Sequence, residues 1–347
     1  MKVSERRFPA EWEQQQGVLL CFPHNGNDWP GKYDTIQWAL VEFIKKISAF
    51  EKVFLVVATP KLQSKVEDML QRARVNLAQI NFIEHKTNRS WMRDSGPIIV
   101  KNASGQNEGL NFNFNGWAKY SNYKLDREVP QKVANALNLS LTQAIYKGKP
   151  VVLEGGALET NGKGTLITSE ECLLHPDIQV RNFGLTKADY EIIFEEYFGI
   201  SHTIWLGDGI QGDDTHGHID DLCRFVNENT IVTVVEDNAD DANYNVLQDN
   251  LYRLKNSKLQ DGKSPNIVTL PMPKRLDFED LRLPASYANF LIINSCVLVP
   301  TFNDPNDRKA LTILANCFPN REIIGISAVD LIWGFGTLHC LSQQIPV

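Results

Sequence analysis

Apolar and polar positions along this chain alternate between two rhythms. Short β-like runs, Gly17 to Phe22 and Val53 to Ala58, are followed by stretches of helical period, Tyr33 to Phe50 and Lys61 to Arg74. This alternation predicts an α/β fold. In the second half, VVLEGGALETNGKGTLIT, HIDDLCRFVNENTIVTVV and SYANFLIINSCVLVPTF each carry two β-like runs joined at an asparagine and read as β-hairpins.

Their turns fall at Asn161, Asn227 and Asn294, with spacings of 66 and 67 residues, and a steady period of this size marks repeated units. Run backwards, DSGPIIVKNASG puts a similar turn near Asn102, 59 residues before Asn161. Run forwards, the stretch after Asn294 needs the N-terminal run Gly17 to Phe22 to complete it. Divided among five units, 347 residues give about 69 each. The arithmetic predicts pseudo-symmetric hairpin-plus-helix repeats closed in a ring without exposed sheet edges. The other reading is a two-domain α/β protein with coincidental spacing. No Gly/Ser/Pro linker divides the chain, which favours one domain over residues 1–347.

Charge narrows the partners. With 35 basic and 42 acidic residues the net charge is −7, and no basic cluster exceeds a pair, so nucleic acid is not expected to bind. No apolar run approaches the ~20 residues of a membrane helix. The polar N-terminus, MKVSERRFPAEWEQQQ, lacks the apolar middle of a signal peptide. The expected location is the cytoplasm, where the six cysteines should stay thiols. Cys21, Cys172, Cys223 and Cys296 read as small buried hydrophobes in or beside β-like runs, and Cys317 as the end of a helix. Cys340 differs. It sits in GFGTLHCLSQQIP, a glycine-loosened loop entering the last short strand, which could present an exposed reactive thiol.

Polar residues interrupt the apolar sequence at the start of each hairpin: Arg93 and Asp94 in WMRDSGP, Glu154 in VVLEGG, and His218, Asp220 and Asp221 in GHIDDLCRF. Charges there are costly unless paired or functional. In a ring of repeats the equivalent strand ends converge, so Asp94, Glu154, His218 and Asp220 are expected to face one another. His216, His218 and Asp220 have the H-x-H-x-D spacing of a metallohydrolase site. The metallo-β-lactamase pattern, however, needs a histidine where Asp221 stands, and only His339 follows downstream. Neither a metal nor another cofactor is expected. A nucleophilic site instead needs a thiol, an imidazole and an orienting acid, and the carboxylates around it call for a cationic ligand.

The stretches FPAEWE (8–13), WMRDSGP (91–97), LEGGALETNGKGTLITSEECLL (153–174), DDTHGHIDDLCRFV (213–226), SYANFLIINSCVLVP (286–300) and GFGTLHCLSQQIP (334–346) together resemble the agmatine deiminase family. That family lies within a guanidine-modifying superfamily that also holds arginine deiminases and bacterial peptidyl-arginine deiminases. The resemblance implies a five-bladed α/β propeller and a cofactor-free hydrolysis of a small guanidino substrate to a urea. By position, Cys340 resembles the nucleophile, His218 the general acid/base, and Asp94 and Asp220 the guanidinium clamps. Glu154 resembles the acid that orients His218 or touches the substrate. Agmatine is the substrate implied first. Trp91, Trp117, Asp213 and Asp214 are the candidates for its amine tail, while Arg93 could serve the carboxylate of arginine. Family members are often dimers, so a homodimer is the implied assembly. Three departures stand out: Phe335 replaces a glycine, Thr337-Leu338 replace Asn-Ile, and Ser95 replaces threonine. Phe335 narrows the loop beside the thiol and bears on substrate shape.

Carboxylates beside Cys340 carry a further expectation. At ~4 Å and an effective dielectric of ~20, one of them disfavours a thiolate by about 4 kcal/mol. The empty enzyme is therefore expected to hold a thiol that ionises as a guanidinium binds. Three alternatives remain in view: a deiminase of arginine or another guanidino compound, a metal-dependent hydrolase built on His216 and His218, and a protein that binds without turnover because Phe335 obstructs the pocket.

Overall fold

The computed structural model describes residues 5–347 as a mixed α/β fold. Five sheets share one strand order, an antiparallel pair followed by a parallel strand. Ile98–Lys101 pairs with Asn107–Asn111 and then Ser140–Gln143; Glu159–Thr160 pairs with Thr165–Ser169 and then His202–Leu206. Cys223–Asn227 precedes Thr230–Val235 and Asn266–Pro271 in the same way, as Leu291–Ile293 precedes Cys296–Thr301 and Glu322–Ser327. In the fifth sheet the C-terminal Ser342–Pro346 runs antiparallel to Gln15–Cys21, which continues in parallel to Lys52–Val57 and Ile80–Glu84. The hairpin turns lie at the asparagines that set the period.

Helices make the crossovers that parallel neighbours require. Their starts are encoded locally. Thr59 caps Pro60–Arg72 by accepting from the Leu62 N–H, with proline at the first helical position. Thr186 with Asp189, and Asp304 with Asp307, form reciprocal capping boxes on Lys187–Phe198 and Pro305–Cys317. The second strands, among them Thr165–Ser169, Thr230–Val235 and Cys296–Thr301, are buried almost throughout. This accounts for their near-continuous apolar runs.

The structure shortens the expected first strands. Only Glu159–Thr160 of the VVLEGGALET run is strand, and Gly155–Ala157 forms a single 3-10 turn. Ile219–Asp221 makes the corresponding turn before Cys223. Glu154 and His218 stand at the N-caps of these turns, and Asp94 lies in the one-turn helix Met92–Ser95. Cys172 is buried just beyond the strand Thr165–Ser169, as expected, in the short helix Glu170–Leu174, which Ser169 caps.

Candidate active site

Each first strand is preceded by a chemically equipped residue: Cys340, Asp94, Glu154, the His218/Asp220 pair and, in the remaining unit, Asn289. Cys340 and Asp94 line a cavity of about 390 Å³ together with Trp91, Trp117, Asp214 and Phe335. His218, Asp220 and Glu154 lie one layer deeper. The Cys340 Sγ is 3.6 Å from Oδ2 of Asp220 and accepts from the Asn289 amide at 3.1 Å. Asn289 also accepts from the Thr337 hydroxyl at 2.7 Å and the His339 N–H at 3.1 Å, fixing the loop that carries Cys340.

Cys340 is 6% exposed, so the expectation of an exposed thiol does not hold. The loop folds over it, with Phe335 in the left-handed region at φ +64°. Burial, then Asp220, Asp221 and Asp94, push the thiol well above its usual range. This is the direction expected for a thiol among carboxylates.

Asp94 accepts from the Trp117 indole at 2.9 Å and from the Gly156 N–H at 3.2 Å. His218 lies between two carboxylates, Nδ1 at 3.8 Å from Asp94 and Nε2 at 3.8 Å from Glu154. Burial opposes its charge, but Asp94, Cys172 and Glu154 outweigh that and raise it well above the usual imidazole value. Gly156 is required here: a Cβ on it would meet His218 Nδ1 at 2.4 Å and Asp94 Oδ1 at 2.9 Å.

Glu154 is fully buried and accepts from the Arg181 Nε at 3.1 Å. Burial alone would raise its carboxyl; Arg181, followed by His218, brings it down to about 2. Removing this partner leaves an uncompensated buried guanidinium. Glu154→Ala is therefore expected to lose about 3–5 kcal/mol of stability in urea unfolding, and a loss below about 1 kcal/mol would contradict this pairing.

Asp220 is held from below. His339 joins it at 2.7 Å through Nδ1 and joins Glu11 at 2.8 Å through Nε2. Arg224 bridges Glu11 at 2.6 Å and Glu159 at 2.7 Å. Against the burial penalty, His339 lowers the Asp220 carboxyl, and Arg224 with His339 lowers Glu11. Glu11, Arg181, Cys172, Asn289 and His339 thus join the site without having been singled out for it by sequence. Asn289 carried a usable signal, since it occupies the fifth strand-entry position.

Among the tail candidates, Trp91, Trp117 and Asp214 line the cavity. Asp214 is already paired with Lys119 at 2.6 Å and the Tyr120 hydroxyl at 2.7 Å. Asp213 is absent from the cavity wall and instead accepts from the Gly217 and His218 N–H groups at 2.7 and 3.0 Å. Its oxygens are consumed in shaping the loop that delivers His218. Arg93 is also not in the wall; it donates to Gln344 at 2.5 Å and to the His339 carbonyl at 3.3 Å. His216 faces Glu171 and His175, whereas His218 faces Asp94 and Glu154. Among the described residues the two imidazoles therefore do not converge as metal ligands would.

A chain of this fold that sets a thiol and an aspartate on one cavity, with a buried imidazole and further carboxylates packed behind them, has the equipment of an enzyme. It belongs to the Porphyromonas-type peptidyl-arginine deiminase family, whose sequence model matches residues 7–346. It is 33% identical to the agmatine deiminase of Pseudomonas syringae pv. tomato, covering 98% of this chain and 95% of the relative. The agmatine deiminase of Enterococcus faecalis superposes with a TM-score of 0.89 at 30% identity, covering 99% of this chain and 96% of that one. A cysteine-to-serine form of the C. jejuni agmatine deiminase with substrate bound gives a TM-score of 0.86 at 32% identity, covering 98% and 96%.

Proposed function

We propose that this chain is a guanidine iminohydrolase that converts agmatine and water to N-carbamoylputrescine and ammonia. The observation that carries this reading is the Cys340 thiol, 3.6 Å from Asp220, at a cavity where Asp94 and His218 meet at 3.8 Å. We further infer a single five-bladed α/β propeller over residues 1–347. The shared strand order of five sheets supports it, as does the pairing of Ser342–Pro346 with Gln15–Cys21.

A guanidinium is planar and delocalised, so its carbon is a poor electrophile until it is held flat and its charge is balanced. Asp94 and Asp220 accept its N–H groups as paired, charge-assisted bonds. Cys340 sheds its proton to solvent as the cation docks, and the sulfur attacks the central carbon. His218, an imidazolium, protonates the departing nitrogen; the C–N bond breaks and ammonia leaves an S-alkylthiouronium. The now neutral His218 takes a proton from water as its oxygen attacks, and the C–S bond breaks to release the urea. Glu154, pinned by Arg181, keeps His218 charged and oriented.

Turnover of agmatine to a ureido product with ammonia release tests the reading. A preference for arginine, or dependence on an added metal, would overturn it. The pH profile gives a second test. Burial pushes Asp94 up to about 6, with His218 pulling down and Asp220 and Glu154 pushing further up. Below about pH 6 this carboxyl is protonated and loses an acceptor for the guanidinium. The value of kcat/KM for agmatine is therefore expected to fall as pH drops through about 6. A profile that is flat or rising on acidification contradicts the clamp.

A further inference from the structure

We propose that Asp28 receives the distal ammonium of the substrate and is the residue that selects an amine-tailed guanidine over one without the amine. The proposal rests on the iminohydrolase reading and assigns the residue that reads the tail.

Three carboxylates line the cavity: Asp94, Asp214 and Asp28. Asp94 serves the reacting end, and both Asp214 oxygens are taken by Lys119 and Tyr120. Asp28 remains. Its side chain is 1% exposed. One oxygen accepts from Arg89 at 2.7 Å and from Asn25 at 3.2 Å. Among the described residues the other, Oδ2, has no partner. A buried carboxylate oxygen with no donor is a costly feature that a bound donor would relieve.

Charge around Asp28 points the same way. Asp126 lies close behind it and accepts from the Asn88 and Arg89 backbone N–H groups at 2.6 and 3.2 Å. Two carboxylates thus share one guanidinium, and burial holds Asp126 up at about 7, so a further cation arriving here would favour the ionised pair. Burial pushes Asp28 up to about 6 despite the pull of Arg89, and a second cation would favour its ionised form. Trp91 and Trp117 line the same space and can pack along an alkyl chain, while the Arg89 guanidinium, 4.1 Å from the Tyr120 ring centre, is held against that ring and Asp28. Arginine carries a carboxylate on the same carbon as its amine, so docking that amine would also bring a second negative charge beside Asp28.

The test compares kcat/KM for agmatine and for n-butylguanidine, which has the same length but no amine. The wild-type enzyme is expected to favour agmatine about 30- to 100-fold. Asp28→Asn should bring the two within about threefold of each other, with kcat/KM for agmatine falling much further than that for n-butylguanidine. Asp28→Glu keeps the charge beside Arg89 and reaches one methylene further, so the preferred guanidinoalkylamine should become one methylene shorter than agmatine. If Asp28→Asn fails to fold, the wild-type ratio and the Glu variant still decide. Equal use of both compounds by the wild type, or unchanged preferences in either folded variant, would overturn the assignment while leaving agmatine turnover intact. Preference for arginine over agmatine would overturn the underlying reading and this proposal with it.

Discussion

Cys340→Ser is expected to lower kcat for agmatine by at least about 10⁴-fold while the folded protein still binds agmatine. The expectation follows from the microenvironment. In the empty site the thiol is raised well above its usual range by burial and by Asp220, Asp221 and Asp94, so only the arriving guanidinium tips it to thiolate. A serine hydroxyl is far less acidic and would have to ionise among the same carboxylates, so substrate-assisted ionisation cannot rescue it. Asn289, which donates to Sγ at 3.1 Å, can donate to the serine oxygen, so the loop should keep its form. Binding of agmatine, measured by calorimetry alongside steady-state turnover, separates the two effects. Retention of more than about a hundredth of wild-type kcat would mean that another group attacks the carbon.

The second large effect is expected at His218. His218→Ala should reduce kcat by about 10³- to 10⁴-fold, at the upper end of general acid–base contributions, because in the proposed mechanism one imidazole serves both half-reactions. Asp94 and Glu154, each 3.8 Å from a ring nitrogen, would lose the cation between them. The variant should therefore also shift the acid limb of kcat/KM upward, as Asp94 becomes harder to ionise. Single-turnover kinetics should show the loss in ammonia release as well as in ureido product formation. A variant that releases ammonia at the wild-type rate would restrict His218 to hydrolysis of the intermediate.

Much of this organisation is legible in the sequence because it is written locally. Asparagine turns at a near-constant spacing reveal the hairpins, since turn chemistry depends on a few adjacent residues. Charged residues entering apolar runs mark Asp94, Glu154, His218 and Asp220 because burying them unpaired is costly. The supporting network escapes notice for the opposite reason. His339 meets Glu11 across 328 positions and Arg224 meets Glu11 across 213, and no local pattern encodes either pairing. Asp213 and Asp214 look interchangeable in DDTHGH. Loop geometry gives the first to backbone N–H groups, with His216 and Gly217 at φ +66° and +90°, and Lys119, 95 residues away, claims the second. Asp28 sits in HNGNDWP with no patterning around it, and only the folded cavity sets it apart.

The proposed chemistry depends on a covalent bond between the Cys340 sulfur and the guanidinium carbon. Intact-protein mass spectrometry on enzyme quenched in acid during turnover of agmatine, followed by peptide mapping, tests that bond directly. The predicted result is an adduct equal to agmatine minus ammonia, confined to the peptide that carries Cys340 and lost when substrate is exhausted. Rapid turnover in the Cys340→Ala variant, or an adduct mapped to Cys172 instead, would contradict it.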